Sequence, residues 1–443
     1  MTDWHFDRMD FKGTFEADGQ ELAVTFSVGI NSTGEADILI EPSILDRNSF
    51  FLLKFHQTQR TAYNETVLRG TSENGETFVS HDVVMYNLLN CISAMGVPTI
   101  QPIVMCVTGE ITTEQIQNPP PTPKYTYLLQ GFFSATELIA STPLGKVEMA
   151  GTPKTGDSSE ISGHITITAD EPPRDFLRWG KEIEQFTRHL RSMMSFANGA
   201  RLMVPIVEII DNGRYRINVR SQARSIRGST PPFSPYNLTE IFDCAIKSYF
   251  YPRPYAEHLP AAIDWFNMNH DYREGKLIGA MTVLENLVNS NLSRRDLLLR
   301  PPAQFKKMKT DLLKVVQTWI NEWTPDPQQQ AVEFDAIKDK FEDLNRCTLK
   351  QKIDLLAKRW GVKLDDIPTD AIGAAKKARD HVVHTGIFTL KENSEADLMD
   401  HVRLTRELVV RFILTALEFK GKYISYLHGQ MEKEFIMGIP ESS

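Results

Sequence analysis

The sequence predicts an α+β protein of two domains, a β-rich N-terminal domain of the sandwich or open-barrel kind and an all-helical C-terminal bundle. Up to about residue 170, short runs of alternating apolar and polar residues are separated by turn-forming residues, which is typical of strands. After about residue 237, apolar residues recur at spacings of three and four, which is typical of amphipathic helices. Between these regions, residues 225–235 (SIRGSTPPFSP) have the composition of a linker, so the predicted domains are 1–235 and 236–443.

Two hairpins and one helix can be placed within the first domain. Asp18-Gly19 separates two alternating runs, and Asn212-Gly213 lies within a second predicted hairpin over residues 201–222. Between the hairpins, residues 173–198 carry a regular apolar stripe and are followed by Gly199, so we predict an amphipathic helix that ends at this glycine.

The composition is that of an ordinary globular protein, with 41% hydrophobic and 24% charged residues among 443. No apolar run approaches the ~18 residues of a membrane span, and the N-terminus lacks the pattern of a signal peptide. Four cysteines occur without CxxC spacing, which indicates reduced thiols. We therefore expect a cytoplasmic protein with no membrane partner.

The formal net charge of −8 argues against a general nucleic-acid binder, but the charge is unevenly distributed. Residues 1–200 carry 25 acidic and 14 basic side chains, whereas residues 201–443 carry 32 and 35. A polyanion site would fit the second half, although ordinary variation in surface composition explains the difference equally well. The sequence contains no GK[ST] phosphate loop, GxSxG, HExxH or GxGxxG motif, and we predict neither a cofactor nor a metal.

The segment AAKKARDHVVHTG, residues 374–386, holds the candidate site. On a helical projection Arg379 stands in the middle of an apolar stripe that includes Val382 and Val383. Asp380 and His384 lie one turn apart, so the carboxylate is expected to orient the imidazole. Two further polar side chains complete the candidate set, His381 and Lys377.

An earlier helix, KLIGAMTVLENLVNS, places Glu285 in a similar apolar stripe. A buried unpaired charge costs several kcal/mol, so each of the two charged residues needs a partner. We therefore predict that the two helices pack together and that Glu285 pairs with Arg379. A structural salt bridge and an arginine positioned in a reactive site both satisfy this pattern.

Arg379 and His384 point about 140° apart on one helix, too far to converge on one small group. They would meet around a phosphodiester if the helix unwinds at Gly386, or if a second chain across a two-fold axis supplies one of them. In such a site the histidine would exchange a proton with the ribose 2′-hydroxyl or the leaving 5′-oxygen, and the arginine would stabilise the phosphorane.

The stretch from Arg379 to His384, followed by HTG, resembles the RxxxxH motif of HEPN-domain ribonucleases. AMTVLENLV resembles the family's earlier helix with its acidic residue, and LKQKIDLLAKRWGV resembles the helix and break before the motif. LTALEFKGKYISYL resembles the closing helix of a bacterial subset. That subset joins a β-rich N-terminal domain to a C-terminal HEPN domain, as in ApeA-like anti-phage abortive-infection proteins.

The resemblance implies a metal-independent endoribonuclease with a composite site in a HEPN homodimer, leaving 2′,3′-cyclic phosphate and 5′-hydroxyl ends. It makes Arg379 and His384 the catalytic pair, Asp380 the polar residue after the arginine, and Glu285 a supporting acid; His381 matches no fixed position. The family often has Asn where this chain has Asp380, whose carboxylate would repel phosphate. The implied partner is RNA, with transfer RNA as one candidate. The N-terminal domain would either sense a phage-derived trigger or restrain the nuclease.

Two alternatives remain open. One is a HEPN-like bundle that binds RNA, a nucleotide or a protein without cleaving. The other is a metal-dependent phosphohydrolase using His381, His384, Asp400 and His401, whose mark would be chelator sensitivity.

Overall fold

The computed structural model describes residues 6–17, 19–41, 43–44, 66–92, 98–116, 118–152, 159–220, 230–252, 259–267, 272–389 and 397–440. Within these ranges the chain forms two compact units that divide after residue 250. An antiparallel sheet fills most of the first unit, and helices dominate the second. The predicted α+β class is therefore confirmed. Residues 225–229 of the predicted linker lie outside the described ranges, as do residues 221–222 of the second predicted hairpin.

The strands of the first unit are β1 (Phe6–Ala17), β2 (Gln20–Ile30), β3 (Ala36–Ile40), β4 (Ser43–Ile44), β5 (Thr66–Thr71), β6 (Thr77–Ser80), β7 (Val83–Ile92), β8 (Pro98–Cys106), β9 (Thr108–Thr113), β10 (Lys124–Gln130), β11 (Leu138–Thr142), β12 (Gly145–Gly151), β13 (Ile161–Thr168), β14 (Met203–Asp211) and β15 (Arg214–Arg220). Fourteen of them follow one path, in the order β11-β12-β13-β10-β14-β15-β9-β6-β5-β1-β2-β3-β8-β4, and β7 pairs with β8.

Both predicted hairpins are present in this sheet. Ala17 pairs with Gln20 across the first turn, where Gly19 has φ +71°. At the second turn Asn212 (φ +47°) and Gly213 (φ +83°) both adopt the left-handed conformation, as a tight two-residue hairpin requires. Local turn chemistry therefore fixes the register of both strand pairs.

The helices are α1 (Phe176–Asn198), α2 (Thr239–Phe250), α3 (Leu259–Phe266), α4 (Arg273–Asn291), α5 (Pro302–Trp323), α6 (Pro327–Phe341), α7 (Leu349–Trp360), α8 (Ala371–Thr385) and α9 (Leu398–Ala416), with a 3₁₀ turn at Glu342–Asn345. The predicted helix over 173–198 is α1, which begins after the N-cap Asp175 and ends at Gly199 with φ +68°. It packs against α2, where His189 Nε2 lies 3.0 Å from the Ala245 carbonyl oxygen. Although the sequence pattern grouped α2 with the later helices, its packing partner is α1.

Within the second unit, α9 is the innermost helix and is buried on nearly all sides. It packs along α4 and α8, and α4 also contacts α8 directly. This arrangement brings Glu285 on α4 to the side of α8 that carries Arg379. None of the described helices is long and apolar enough to cross a membrane.

A β-hairpin follows α9, with β16 at Gly421–Ser425 and β17 at Met431–Phe435. The expectation that residues 414–427 form a closing helix is therefore wrong beyond Ala416. The left-handed φ of Glu418 (+52°) and the φ of Gly421 (+141°) end the helical conformation.

The hairpin is held by a buried polar network around Glu407 on α9. Its carboxylate accepts hydrogen bonds from Arg411 Nε (2.9 Å), Tyr423 Oη (2.7 Å) and Ser425 Oγ (2.9 Å). Arg411 also forms a bidentate pair with Asp366, at 2.6 and 2.8 Å. Since these buried polar groups satisfy one another, the strand conformation of residues 421–425 is favoured over a longer helix.

Candidate functional site

The candidate site lies on the last two turns of α8. Ala375, Ala378 and Val382 are buried at spacings of three and four residues, as the apolar stripe predicts. Val383, which was placed in the same stripe, is instead 56% exposed. The helix ends at Gly386 (φ +80°), whose N–H bonds to the Val382 carbonyl at 2.7 Å.

Arg379 is the central charge of the site, and its side chain is only 20% exposed. Its guanidinium forms an ion pair with Glu285, whose side chain is 37% exposed. The predicted pairing of Glu285 with Arg379 is confirmed. The two opposite charges meet at the contact between α4 and α8. Each therefore offsets the free-energy cost of holding the other as an unpaired charge in this half-buried position.

Asp380 does not orient His384, contrary to the expectation from their spacing. Its two carboxylate oxygens are engaged elsewhere, with Lys376 Nζ at 2.6 Å and with Arg379 NH1 at 3.1 Å. Lys376 lies one turn before Asp380, at the i,i+4 spacing that brings an ammonium and a carboxylate on one helix into contact. Lys376 is therefore the site residue that sequence reasoning missed, although an i,i+4 Lys–Asp spacing is a readable signal.

Two carboxylates and two cations thus form one connected cluster, consisting of Glu285, Arg379, Asp380 and Lys376. Its formal charge is zero. Arg379 consequently lies between two carboxylates, and part of its charge is already compensated before any anion arrives.

The histidines of the segment are closer to solvent. His384 is exposed on the final turn, and within the described ranges its ring has no hydrogen-bond or ion-pair partner. His381 Nε2 lies 2.9 Å from Thr389 Oγ1, just after the helix, and Lys377 is exposed. An exposed imidazole can exchange protons with a bound group.

The structure does not bring Arg379 and His384 together within one chain. Both lie on regular helix, so they stay about 140° apart around the axis and roughly 7.5 Å apart along it. A single chain therefore offers half of a reactive arrangement, with an arginine at the α4 contact and a histidine in solvent.

The residues of the metal hypothesis are not gathered into a site. Asp400 caps the start of α9, where its carboxylate accepts from Asp397 N at 3.1 Å and pairs with Arg403. His401 is buried, with its ring against Phe388. In the part of the chain that the structure describes, no three His, Cys, Asp or Glu side chains are grouped as metal ligands.

Comparison of the chain with protein-family models, curated proteins and solved structures finds no match in any of the three. What is established is a two-part architecture, an antiparallel sheet region followed by a helical region.

Proposed function

We propose that this protein is a metal-independent RNA endonuclease of the HEPN type, acting through Arg379 and His384. The observation that carries the proposal is the placement of this pair. An arginine is fixed in an apolar stripe by Glu285 and Asp380, and a solvent-exposed histidine follows five residues later at the end of the helix. Together with the resemblance of this segment to the RxxxxH motif, that placement supports phosphodiester chemistry over a purely structural role.

The reaction is an internal transfer at phosphorus. The ribose 2′-oxygen attacks the adjacent phosphate, a P–O bond forms, and the bond to the 5′-oxygen breaks. A histidine removes the 2′-hydroxyl proton or donates a proton to the leaving 5′-oxygen, which suits an imidazole near neutral pH. The arginine stabilises the extra negative charge on the phosphorane, and no metal is needed for either task.

A complete site requires a second chain. One α8 helix presents Arg379 and His384 in directions about 140° apart, so one phosphate cannot meet both. A two-fold axis beside α8 would place the arginine of one copy near the histidine of the other. The homodimer is therefore part of the proposal.

The test measures RNA cleavage and RNA binding by the full chain in EDTA. We expect His384→Ala to lower the cleavage rate by about 10²–10⁴-fold, the range for a lost general acid–base group. Arg379→Ala should lower it by about 10²–10³-fold. His428→Ala, which removes another exposed histidine of the same unit, is the matched control and should cleave like the wild type.

A second candidate is a non-catalytic HEPN-like module that binds RNA, a nucleotide or a protein. The charge balance around Arg379 favours it, because an arginine shared by two carboxylates is also what a structural ion pair looks like. This alternative predicts RNA binding without cleavage, and His384→Ala would then leave every measured property unchanged. The proposed nuclease instead predicts that the wild type cleaves RNA and that His384→Ala loses this cleavage while it still binds RNA.

The resemblance extends the proposal to an anti-phage effector whose N-terminal region senses infection or restrains the nuclease, with transfer RNA as a candidate target. Cells that express the wild-type chain should survive phage challenge as a population better than cells that express His384→Ala. Equal phage titres from the two cultures would count against the defence role. The nuclease chemistry is tested independently by the cleavage assay in EDTA.

A further inference from the structure

A basic pocket opens beside the first turns of α5, with a volume of about 620 Å³. Its lining combines three cations with apolar walls, formed among others by Lys306, Lys309, Arg346, Leu298, Phe305 and Leu313. None of the described lining residues is acidic, so the described lining carries a formal charge of +3 in a chain whose net charge is −8. The pocket is thus a local concentration of positive charge around an apolar interior.

Two of the cations project from one face of α5. Lys306 and Lys309 lie one turn apart, and like charges at this spacing destabilise a helix unless a negative group compensates them. Arg346 supplies the third cation from outside the helix. Its NH1 lies 3.2 Å from Asp343 Oδ1, but both side chains of this pair are about two-thirds exposed. Since an exposed pair contributes little, the guanidinium can turn to another anion at small cost.

The wall that carries Arg346 is fixed before any ligand arrives. Asn345 is 4% exposed, and its side-chain amide is bonded twice to the main chain of Arg300. Arg300 N donates to Asn345 Oδ1 at 2.9 Å, and Asn345 Nδ2 donates to the Arg300 carbonyl at 3.0 Å. A β-bridge joins Leu298 to Arg346 beside this contact. A preformed wall lowers the entropic cost of binding.

Apolar walls beside three cations fit a nucleotide. The walls offer contact to a base, and the exposed Lys306 and Arg346 can reach its phosphates. The volume falls within the roughly 300–1,000 Å³ of ordinary ligand pockets. An inorganic anion would leave the walls without contact, and a purely apolar ligand would leave the cations uncompensated.

The charge around the pocket favours a nucleotide of a polynucleotide strand over a free one. Residues 294–309 contain six basic side chains against one acid, Asp296. The carboxylate of Asp296 is held by Arg359 NH1 at 3.0 Å, so it compensates little of this charge. A basic surface that extends beyond the pocket suits a succession of phosphates. The bases of a single strand, unlike those of a duplex, are free to turn into a pocket.

We propose that this α5 pocket binds one nucleotide of single-stranded RNA other than the nucleotides at the cleaved bond. The base lies against Leu298 and Phe305, and the neighbouring phosphates bind Lys306, Lys309 and Arg346. The choice of RNA as the ligand rests on the proposed function, whereas the pocket takes no part in the chemistry of Arg379 and His384.

The test measures the fluorescence anisotropy of a labelled single-stranded RNA with the full chain carrying His384→Ala, so that the RNA stays intact. Adding Lys306→Gln/Lys309→Gln should raise Kd at least about tenfold. It should also reduce the slope of log affinity against log salt by about 1.4, because each phosphate contact to a single strand contributes about 0.7. Arg346→Gln, on the other wall, should reduce the slope by about 0.7.

The matched control is Lys314→Gln/Lys338→Gln, which removes the same charge from two exposed lysines outside the pocket and should leave Kd and the slope unchanged. Thermal melting checks that every variant folds. In the chain that retains His384, Lys306→Gln/Lys309→Gln should raise KM for RNA cleavage while kcat stays the same, because a contact away from the reacting bond binds substrate and transition state equally.

A chain that does not bind the RNA would overturn the proposal, as would a Kd that the pocket variants leave unchanged or that the control pair raises equally. Adenosine monophosphate that competes as well as the RNA would assign the pocket to a free nucleotide and reject the RNA strand. Pocket-dependent binding without any cleavage by the wild type would refute the nuclease and retain the pocket. The two proposals therefore fail by different results.

Discussion

A double-mutant cycle on Glu285 and Arg379 measures how strongly the candidate arginine is held. Glu285→Gln removes the charge of the acid while keeping its shape, and Arg379→Met removes the guanidinium while keeping most of the apolar stem. Fully exposed pairs contribute about 0–1 kcal/mol, whereas breaking a buried pair costs about 3–5 kcal/mol. The side-chain exposures of 20% and 37% lie between these limits, so we expect a coupling free energy of about 1.5 kcal/mol.

Urea unfolding, followed by the helical circular dichroism signal that comes mainly from the second unit, gives the four free energies of the cycle. The control cycle uses Lys422 and Glu432 on the β16–β17 hairpin, a pair with 58% and 42% exposed side chains. Its coupling should stay near about 0.3 kcal/mol. A Glu285–Arg379 coupling no larger than that of the control would refute the inference that α4 holds the arginine in place.

Three further predictions concern the rest of the chain. Glu407→Ala should destabilise the second unit by about 2–4 kcal/mol in urea unfolding, because it leaves the Arg411 Nε–H and the Tyr423 hydroxyl without their buried acceptor. A loss below about 1 kcal/mol would contradict the network. The hydrogen bond from Arg411 lowers the pKa of Asp366 from 3.8 to about 2. The stabilisation that this ionised carboxylate contributes is therefore present above about pH 4 and is lost as the pH falls towards 2. Asp366→Asn should flatten that part of the stability–pH curve, and an unchanged curve would refute the assignment. Burial raises the pKa of the Cys106 thiol to about 11. A thiol reagent at pH 8 should therefore label Cys106 far more slowly in the native chain than in urea. Equal labelling rates would show that the thiol is accessible in the native chain.

The features that sequence reasoning recovered are those decided locally or by charge. The turns at Gly19 and at Asn212-Gly213 follow from residues that tolerate a left-handed backbone. The pairing of Glu285 with Arg379 follows from two opposite charges in two apolar stripes, since neither helix could bury its charge alone. By contrast, the strand order of the sheet depends on contacts between distant segments, which turn chemistry does not specify.

The features that it missed depend on competition between partners. Asp380 has a lysine four residues before it and a histidine four residues after it, and the spacing alone does not tell which one it binds. The hairpin after α9 depends on Glu407, which accepts hydrogen bonds from Tyr423 and Ser425 only once the unit has folded. A resemblance to a closing helix could not reveal that acceptor.

The chemistry of the RNA ends tests the central claim most directly. Mixed cellular RNA is incubated in EDTA with the wild type, Arg379→Ala or His384→Ala, and the new ends are mapped. We predict 2′,3′-cyclic phosphate and 5′-hydroxyl ends with the wild type and none above background with either variant. Cleavage that leaves 3′-hydroxyl and 5′-phosphate ends, or equal cleavage by all three proteins, would contradict a nuclease site built on Arg379 and His384.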